Sequence, residues 1–133
     1  MNKQKLHDLR VFAAEIRLET LKIIGSRGFG HVGGSMSMAD AMAVLYGDVM
    51  NIDPKNPRWE DRDWFVLSKG HGGPVMYATL GLKGYYPMES AYTRQPNASN
   101  FAPMPLPWLI TSATAPSSWR LLLSTRHTKL SSL

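Results

Sequence analysis

The stretch that decides the fold class is WFVLSKGHGGPVMYATLGLKG, residues 64–84. Its opening, WFVLS, is aromatic, β-branched and apolar, and predicts a short buried strand over residues 64–68. A glycine turn carrying His71 follows. Pro74 then suits the first turn of a helix that stops near Gly84. Strand, glycine turn and helix in that order form the unit of open α/β sheets. Such sheets bind ligands beyond the carboxyl ends of their strands. The expected class is therefore α/β.

Towards the N-terminus lies a second glycine turn, within GFGHVGGSMSMADAM, residues 28–42. It carries His31 and leads into a predicted helix, with Ser37 as N-cap and Asp40 three residues on, as in a capping box. Met38, Met42, Leu45 and Val49 give that helix an apolar face, and Met36, Met38, Met42 and Met50 read as core filler. Before the turn, Leu9, Phe12, Ile16, Ile23 and Ile24 line one stripe of a long helix, with Ala13 and Thr20 beside it. Gly25 or Gly28 is placed to end it. Between the two turns, NIDPKNPRWEDRD is a polar loop punctuated by proline. Its Glu60, Asp61, Arg62 and Asp63 read as a solvated charge cluster, and Trp59 and Trp64 as packed under the loop. His7 and His127 read as surface residues.

The two ends of the chain differ in composition. All eleven glycines lie in residues 1–90, which carry eleven Lys and Arg against ten Asp and Glu, for a charge of +1. Residues 91–133 have no glycine, no acid, five of the nine prolines, twelve Ser or Thr and four basic residues, for a charge of +4. No helical or strand period persists there, which predicts a poorly ordered tail. The net charge of +5 thus belongs to one end. It is too sparse for a nucleic-acid face, so no nucleic-acid partner is expected. There is no cysteine, which excludes disulfides and thiolate metal sites. No apolar run is long enough to span a bilayer. MNKQKLHDLRVF has no secretory pattern, and a cytoplasmic location is expected.

Taken singly, His31 reads as a loop residue bonding its own backbone, and His71 as a cap on the following helix. Their repetition in one setting points to a site. A helix start exposes unpaired N–H groups and a partial positive charge, which favours an anion. Glycine lets that anion reach the backbone. A histidine beside it can donate a hydrogen bond or move a proton. Neither turn is a Walker loop, and GFGHVGG follows a helix rather than a strand. A non-catalytic phosphate- or nucleotide-binding module is the alternative reading.

The run GHVGGSMSMADAMAVLY, then NPRWEDRDWFVLSKGHGGPVMYATLGLKGYYPME, closely resembles the N-terminal, thiamine-diphosphate-binding part of transketolase, in particular the split form in which it is a separate subunit. The resemblance covers about residues 5 to 89. It implies part of a doubly wound parallel sheet with flanking helices. The implied reaction is transfer of a two-carbon ketol unit from a ketose phosphate to an aldose phosphate. By the resemblance, His31 faces the sugar in the substrate channel. His71 contacts the cofactor diphosphate and the substrate side of the thiazolium. Ser68, Gly70 and Gly72 belong to the second turn and are, by the resemblance, cofactor-binding positions with His71, and Gly33, Gly34 and Ser35 build the first turn. Lys69 stands where many relatives have asparagine and is a candidate cofactor contact.

Past Glu89 the text departs from the family. The family's GxLGQG loop, and the GDG and Asn that hold a divalent metal (Mg or Ca), are absent from this sequence. Residues 90–133 therefore read as an out-of-frame or unrelated tail, and residues 1–89 as the family fragment. The glutamate that activates the cofactor belongs to a pyrimidine-binding domain, or to a C-terminal transketolase subunit, in a homo- or hetero-oligomer. The chain alone is expected to be inactive, to bind thiamine diphosphate weakly or not at all, and to expose a sheet edge.

Overall fold

The computed structural model describes residues 2–92; the predicted tail from Thr93 onward lies outside the described residues. Helix α1 spans Lys3–Arg27. Asn2 caps its start by accepting a 2.7 Å hydrogen bond from the Lys5 N–H. Of the two glycines placed to end it, Gly28 does so. Gly28 adopts φ 72°, a left-handed conformation open to glycine, and its N–H bonds the carbonyls of Ile24 and Gly25. The predicted stripe is the inner face: Leu9, Ala13, Ile16, Thr20, Ile23 and Ile24 are buried. Thr20 is tolerated there because its hydroxyl donates to the Ile16 carbonyl at 2.6 Å.

The sequence predicts one helix from Ser37; the chain instead breaks there. Helix α2 spans Val32–Met36 and helix α3 spans Ala39–Val44, followed by a π-helical stretch at Leu45–Val49. Ser37 closes α2 rather than opening α3. Its N–H bonds the Gly33 carbonyl and its hydroxyl donates to the Gly34 carbonyl at 3.2 Å. Its side chain is thus spent on the preceding turn, and α3 begins at Met38 without a side-chain cap. Helix α4, Gly73–Leu82, has Pro74 in its first turn as expected, and it follows a 3₁₀ turn at Gly70–Gly72. Helix α5, Glu89–Tyr92, closes the described fold.

Helix α1 packs on α3 and α4, and α5 leans on both α1 and α4. Ile16, Ile23, Met42 and Val75 are completely buried. Each such side chain contributes roughly 1.5–3 kcal/mol of burial free energy. Met38 and Met50 pack against this core, as the filler reading required, but Met36 is not part of it and Val49, expected on the same apolar face, is 62% exposed because the helix turns π-helical at Leu45–Val49. Ala91 is fully buried and Tyr92 bonds Glu19 of α1, so the packed structure runs three residues beyond Glu89.

The predicted strand at 64–68 is not formed: among the described residues there are only helices, turns and loops. A strand exists only through a ladder with a neighbour, and among the described residues no segment forms a ladder with this one. Its alternation survives nonetheless. Leu67 is buried, Phe65 meets Tyr46 edge to face with ring centroids 6.0 Å apart, and Trp64 is 48% exposed. Trp64 therefore does not pack under the loop, and Arg62 is not solvated. Arg62 is buried, donates to the Trp59 carbonyl and lays its guanidinium 4.5 Å from the Trp64 ring centre.

Candidate functional site

The two glycine turns meet. His31 sits just ahead of α2 and His71 at the centre of the 3₁₀ turn before α4. Forty residues separate them in sequence, yet their ring centroids are 4.1 Å apart with planes inclined at 62°. Both imidazoles are exposed. The backbone permits this approach because residue 34 is glycine. A Cβ there would lie 3.0 Å from the His71 Cβ and 3.3 Å from the His71 carbonyl oxygen.

Two side-chain ties hold the turns together. Ser35, fully buried, donates its hydroxyl to the His71 carbonyl at 3.0 Å. Lys69 donates from Nζ to the Ser37 hydroxyl at 2.9 Å, and that hydroxyl in turn donates to Gly34. The second turn is closed by the Gly72 N–H on the Lys69 carbonyl at 2.9 Å. Gly72 itself is buried against Met38 and Leu67. Ser68, Lys69 and Gly70 are exposed beside it. The structure thus brings His31, His71, Lys69, Gly70, Gly72 and Ser68 into one neighbourhood. Ser37 belongs there too, a part that its reading as a helix cap missed. No spacing signal links Ser37 to Lys69 across 32 residues; only the fold does.

An anion suits this donor set. It offers an ammonium, two imidazoles and the exposed backbone at Gly33, where an added Cβ would meet nothing within 4 Å. These residues fit the diphosphate of a cofactor. They do not fit its divalent metal: among the described residues no group of three or more His, Asp or Glu side chains is placed to hold one. In the acidic cluster before residue 64, Glu60 and Asp61 are exposed, as expected, while Asp63 is used structurally. Asp63 accepts the Asn51 N–H at 2.7 Å and fastens the loop. The groups with displaced pKa values are tyrosines and Glu19. Burial pushes the Tyr46, Tyr77 and Tyr86 phenols up. Tyr77 lies 3.9 Å from where a Gly73 Cβ would stand, and so flanks the start of α4.

Residues 9–98 match the thiamine diphosphate binding domain of transketolase. The chain belongs to this family. It is 55% identical over 89 residues to the 6-deoxy-6-sulfo-D-fructose transketolase subunit SqwG of Clostridium sp. (strain MSTE9), covering 67% of this chain and 32% of that protein. It is 45% identical over 78 residues to transketolase 1 of Escherichia coli (strain K12), covering 58% of this chain and 12% of that protein. The transketolase of Treponema pallidum (strain Nichols) is 43% identical over 77 residues, again covering 58% of this chain and 12% of the relative. The chain therefore spans between about an eighth and a third of the length of these relatives. The α/β class is that of the family; the described part of this chain contributes its helices. The family match continues nine residues past Glu89, to residue 98. Among the described residues no helix is long and apolar enough to cross a membrane.

Proposed function

We propose that this chain is the cofactor-diphosphate side of a transketolase-like enzyme. That enzyme moves a two-carbon ketol unit from a ketose phosphate to an aldose phosphate in the cytoplasm, within the pentose phosphate reactions. The observation that carries the reading is the meeting of His31 and His71 at two tied glycine turns. When bound, thiamine diphosphate supplies the nucleophilic carbon and the electron sink. The chain's own residues orient and neutralise. Lys69 and the backbone around Gly33 offer positive charge and donors to the diphosphate. His71 hydrogen-bonds that group on the side facing the substrate. His31 faces the sugar and moves protons on its hydroxyls.

On this reading the remainder of the sheet, the metal ligands and the activating glutamate come from outside the described residues. They belong to a longer diphosphate-binding domain and to a pyrimidine-binding partner subunit. The chain alone transfers no ketol unit. A chimera tests this: residues 1–92 joined to the remaining part of the Clostridium sp. relative, mixed with a pyrimidine-binding subunit. The chimera is expected to transfer ketol units with thiamine diphosphate and magnesium. His71→Ala is expected to weaken cofactor affinity, and His31→Ala to lower turnover with that affinity kept. A folded chimera that turns over equally well with both histidines replaced refutes the reading. Greater thermal protection by ATP than by thiamine diphosphate favours the nucleotide-module alternative.

A further inference from the structure

The two ties between the glycine turns differ in kind. The Ser35 hydroxyl that donates to the His71 carbonyl at 3.0 Å belongs to a fully buried residue. The bond from the Lys69 ammonium to the Ser37 hydroxyl at 2.9 Å joins two exposed residues. A buried bond is costly to break, because its partners find no water to replace it. An exposed one trades with solvent at little cost. Ser37 is also placed to let Lys69 go. It gives its own proton to the Gly34 carbonyl at 3.2 Å, so departure of the ammonium leaves its donor satisfied. The Lys69 backbone stays fixed, since its carbonyl accepts the Gly72 N–H at 2.9 Å. Release is therefore rotation of one exposed side chain, a motion of picoseconds to nanoseconds.

We infer, on the reading of the two turns as a diphosphate site, that Lys69 is an exchangeable contact: Ser37 and the diphosphate compete for its ammonium, and Ser37 thereby sets the affinity of the site. The bond to Ser37 commits one donor of the ammonium, and its direction, to the protein. A phosphate-bearing ligand has to displace it. A charge-assisted bond to a phosphate oxygen is roughly twice as strong as a bond between neutral groups. The ligand therefore wins the exchange, and its affinity is reduced by the bond given up. Throughout, the buried Ser35 tie keeps the turns together. Ser37 is thus a positioning residue that acts on the ligand through Lys69, and it acts against binding.

The sign of the Ser37→Ala effect separates this role from a merely structural one. A structural tie predicts weaker binding when it is cut, because the turns loosen. Competition predicts that Ser37→Ala binds inorganic pyrophosphate about threefold to tenfold more tightly, the net strength of one hydrogen bond. Alanine suits the backbone there, at φ −62° and ψ −15°. Ser37→Thr keeps the hydroxyl and is expected to bind as the original chain does. Lys69→Met is expected to bind more weakly. In the Lys69→Met background Ser37→Ala is expected to change nothing, since no ammonium remains to compete for.

Inorganic pyrophosphate is titrated into each full-length, isotopically labelled chain and followed by the amide signals of residues 31–35 and 68–73. The original chain and His71→Ala report on the site itself. No response in the original chain, or equal binding by His71→Ala, overturns the diphosphate reading and the exchange with it. Where the original chain binds and His71→Ala binds more weakly, the exchange alone is at stake. It is overturned if folded Ser37→Ala binds no more tightly than the original chain, or if its gain persists in the Lys69→Met background. A second measurement needs no variant: the Lys69 side-chain signals of the original chain are expected to move with pyrophosphate. Unmoved Lys69 side-chain signals at saturation also overturn the exchange.

Discussion

Replacing Gly34 by alanine is expected to separate the two turns, and replacing its neighbour Gly33 is the internal control. Both residues lie in α2, so the helix-propensity gain of about 1 kcal/mol for Gly to Ala applies to each and cancels in the comparison. The surroundings differ. At Gly33 the new methyl meets nothing within 4 Å; at Gly34 it lies 3.0 Å from the His71 Cβ, 3.3 Å from the His71 oxygen and 3.7 Å from the His31 Cβ. Relieving contacts of that kind means shifting the turns by some tenths of an ångström, against the Ser35 tie, and overpacking costs about 1–3 kcal/mol. Gly34→Ala should therefore be less stable than Gly33→Ala by about 1–3 kcal/mol. At roughly 4–8 °C per kcal/mol for a domain of this size, thermal unfolding by circular dichroism resolves the gap. The same variant should move the imidazole proton resonances of His31 and His71, because each ring lies in the other's ring current. Equal melting temperatures with unmoved imidazole signals would refute the account of how the turns meet.

Ile16→Ala, at a fully buried position facing α3 and α4, should cost about 2–5 kcal/mol in urea unfolding and leave little folded chain. Asp40→Asn removes an exposed ion pair with Arg17 and should cost under about 1 kcal/mol, an effect that shrinks in high salt. Tyr92 is pushed up to about 12, first by its hydrogen bond to Glu19. A raised pKa stabilises the fold below the ordinary phenol value, so the hold of α5 on α1 should be lost as pH rises from about 10 towards 12. Burial raises the Glu19 carboxyl, but hydrogen bonds from Lys22 and Tyr92 and the Lys22 charge outweigh it, and its pKa is lowered. Its contribution is present above the ordinary carboxylate value of 4.5 and is lost as pH falls below it; Glu19→Gln should flatten both limbs of a pH–stability curve.

Local chemistry made much of this molecule readable in advance. The α1 stripe, the Gly28 stop, the Pro74 helix start and the two histidine-bearing turns each depend on residues within one or two helical turns of each other. What was misread depends on distant partners. WFVLS has strand chemistry, but a strand is a relation between two segments and the described residues provide only one. Ser37 fits an N-cap by spacing, yet its hydroxyl faces choices among Gly34, Lys69 and α3 that only the packed chain resolves. Arg62 and Trp64 exchanged their expected places because a guanidinium can be buried by a carbonyl and an indole face together. The meeting of His31 with His71 followed from chemistry in kind, two anion-seeking turns, while the distance between them is a property of the fold.

The most direct measurement is a thiamine diphosphate titration of isotopically labelled chain, followed by amide and imidazole NMR signals, which registers binding even in the millimolar range. The account predicts shifts concentrated at residues 31–35 and 68–73, and their loss in His71→Ala. Shifts confined to one turn, or spread over α1 and the loop at 51–63 instead, would contradict a shared anion site between the two turns.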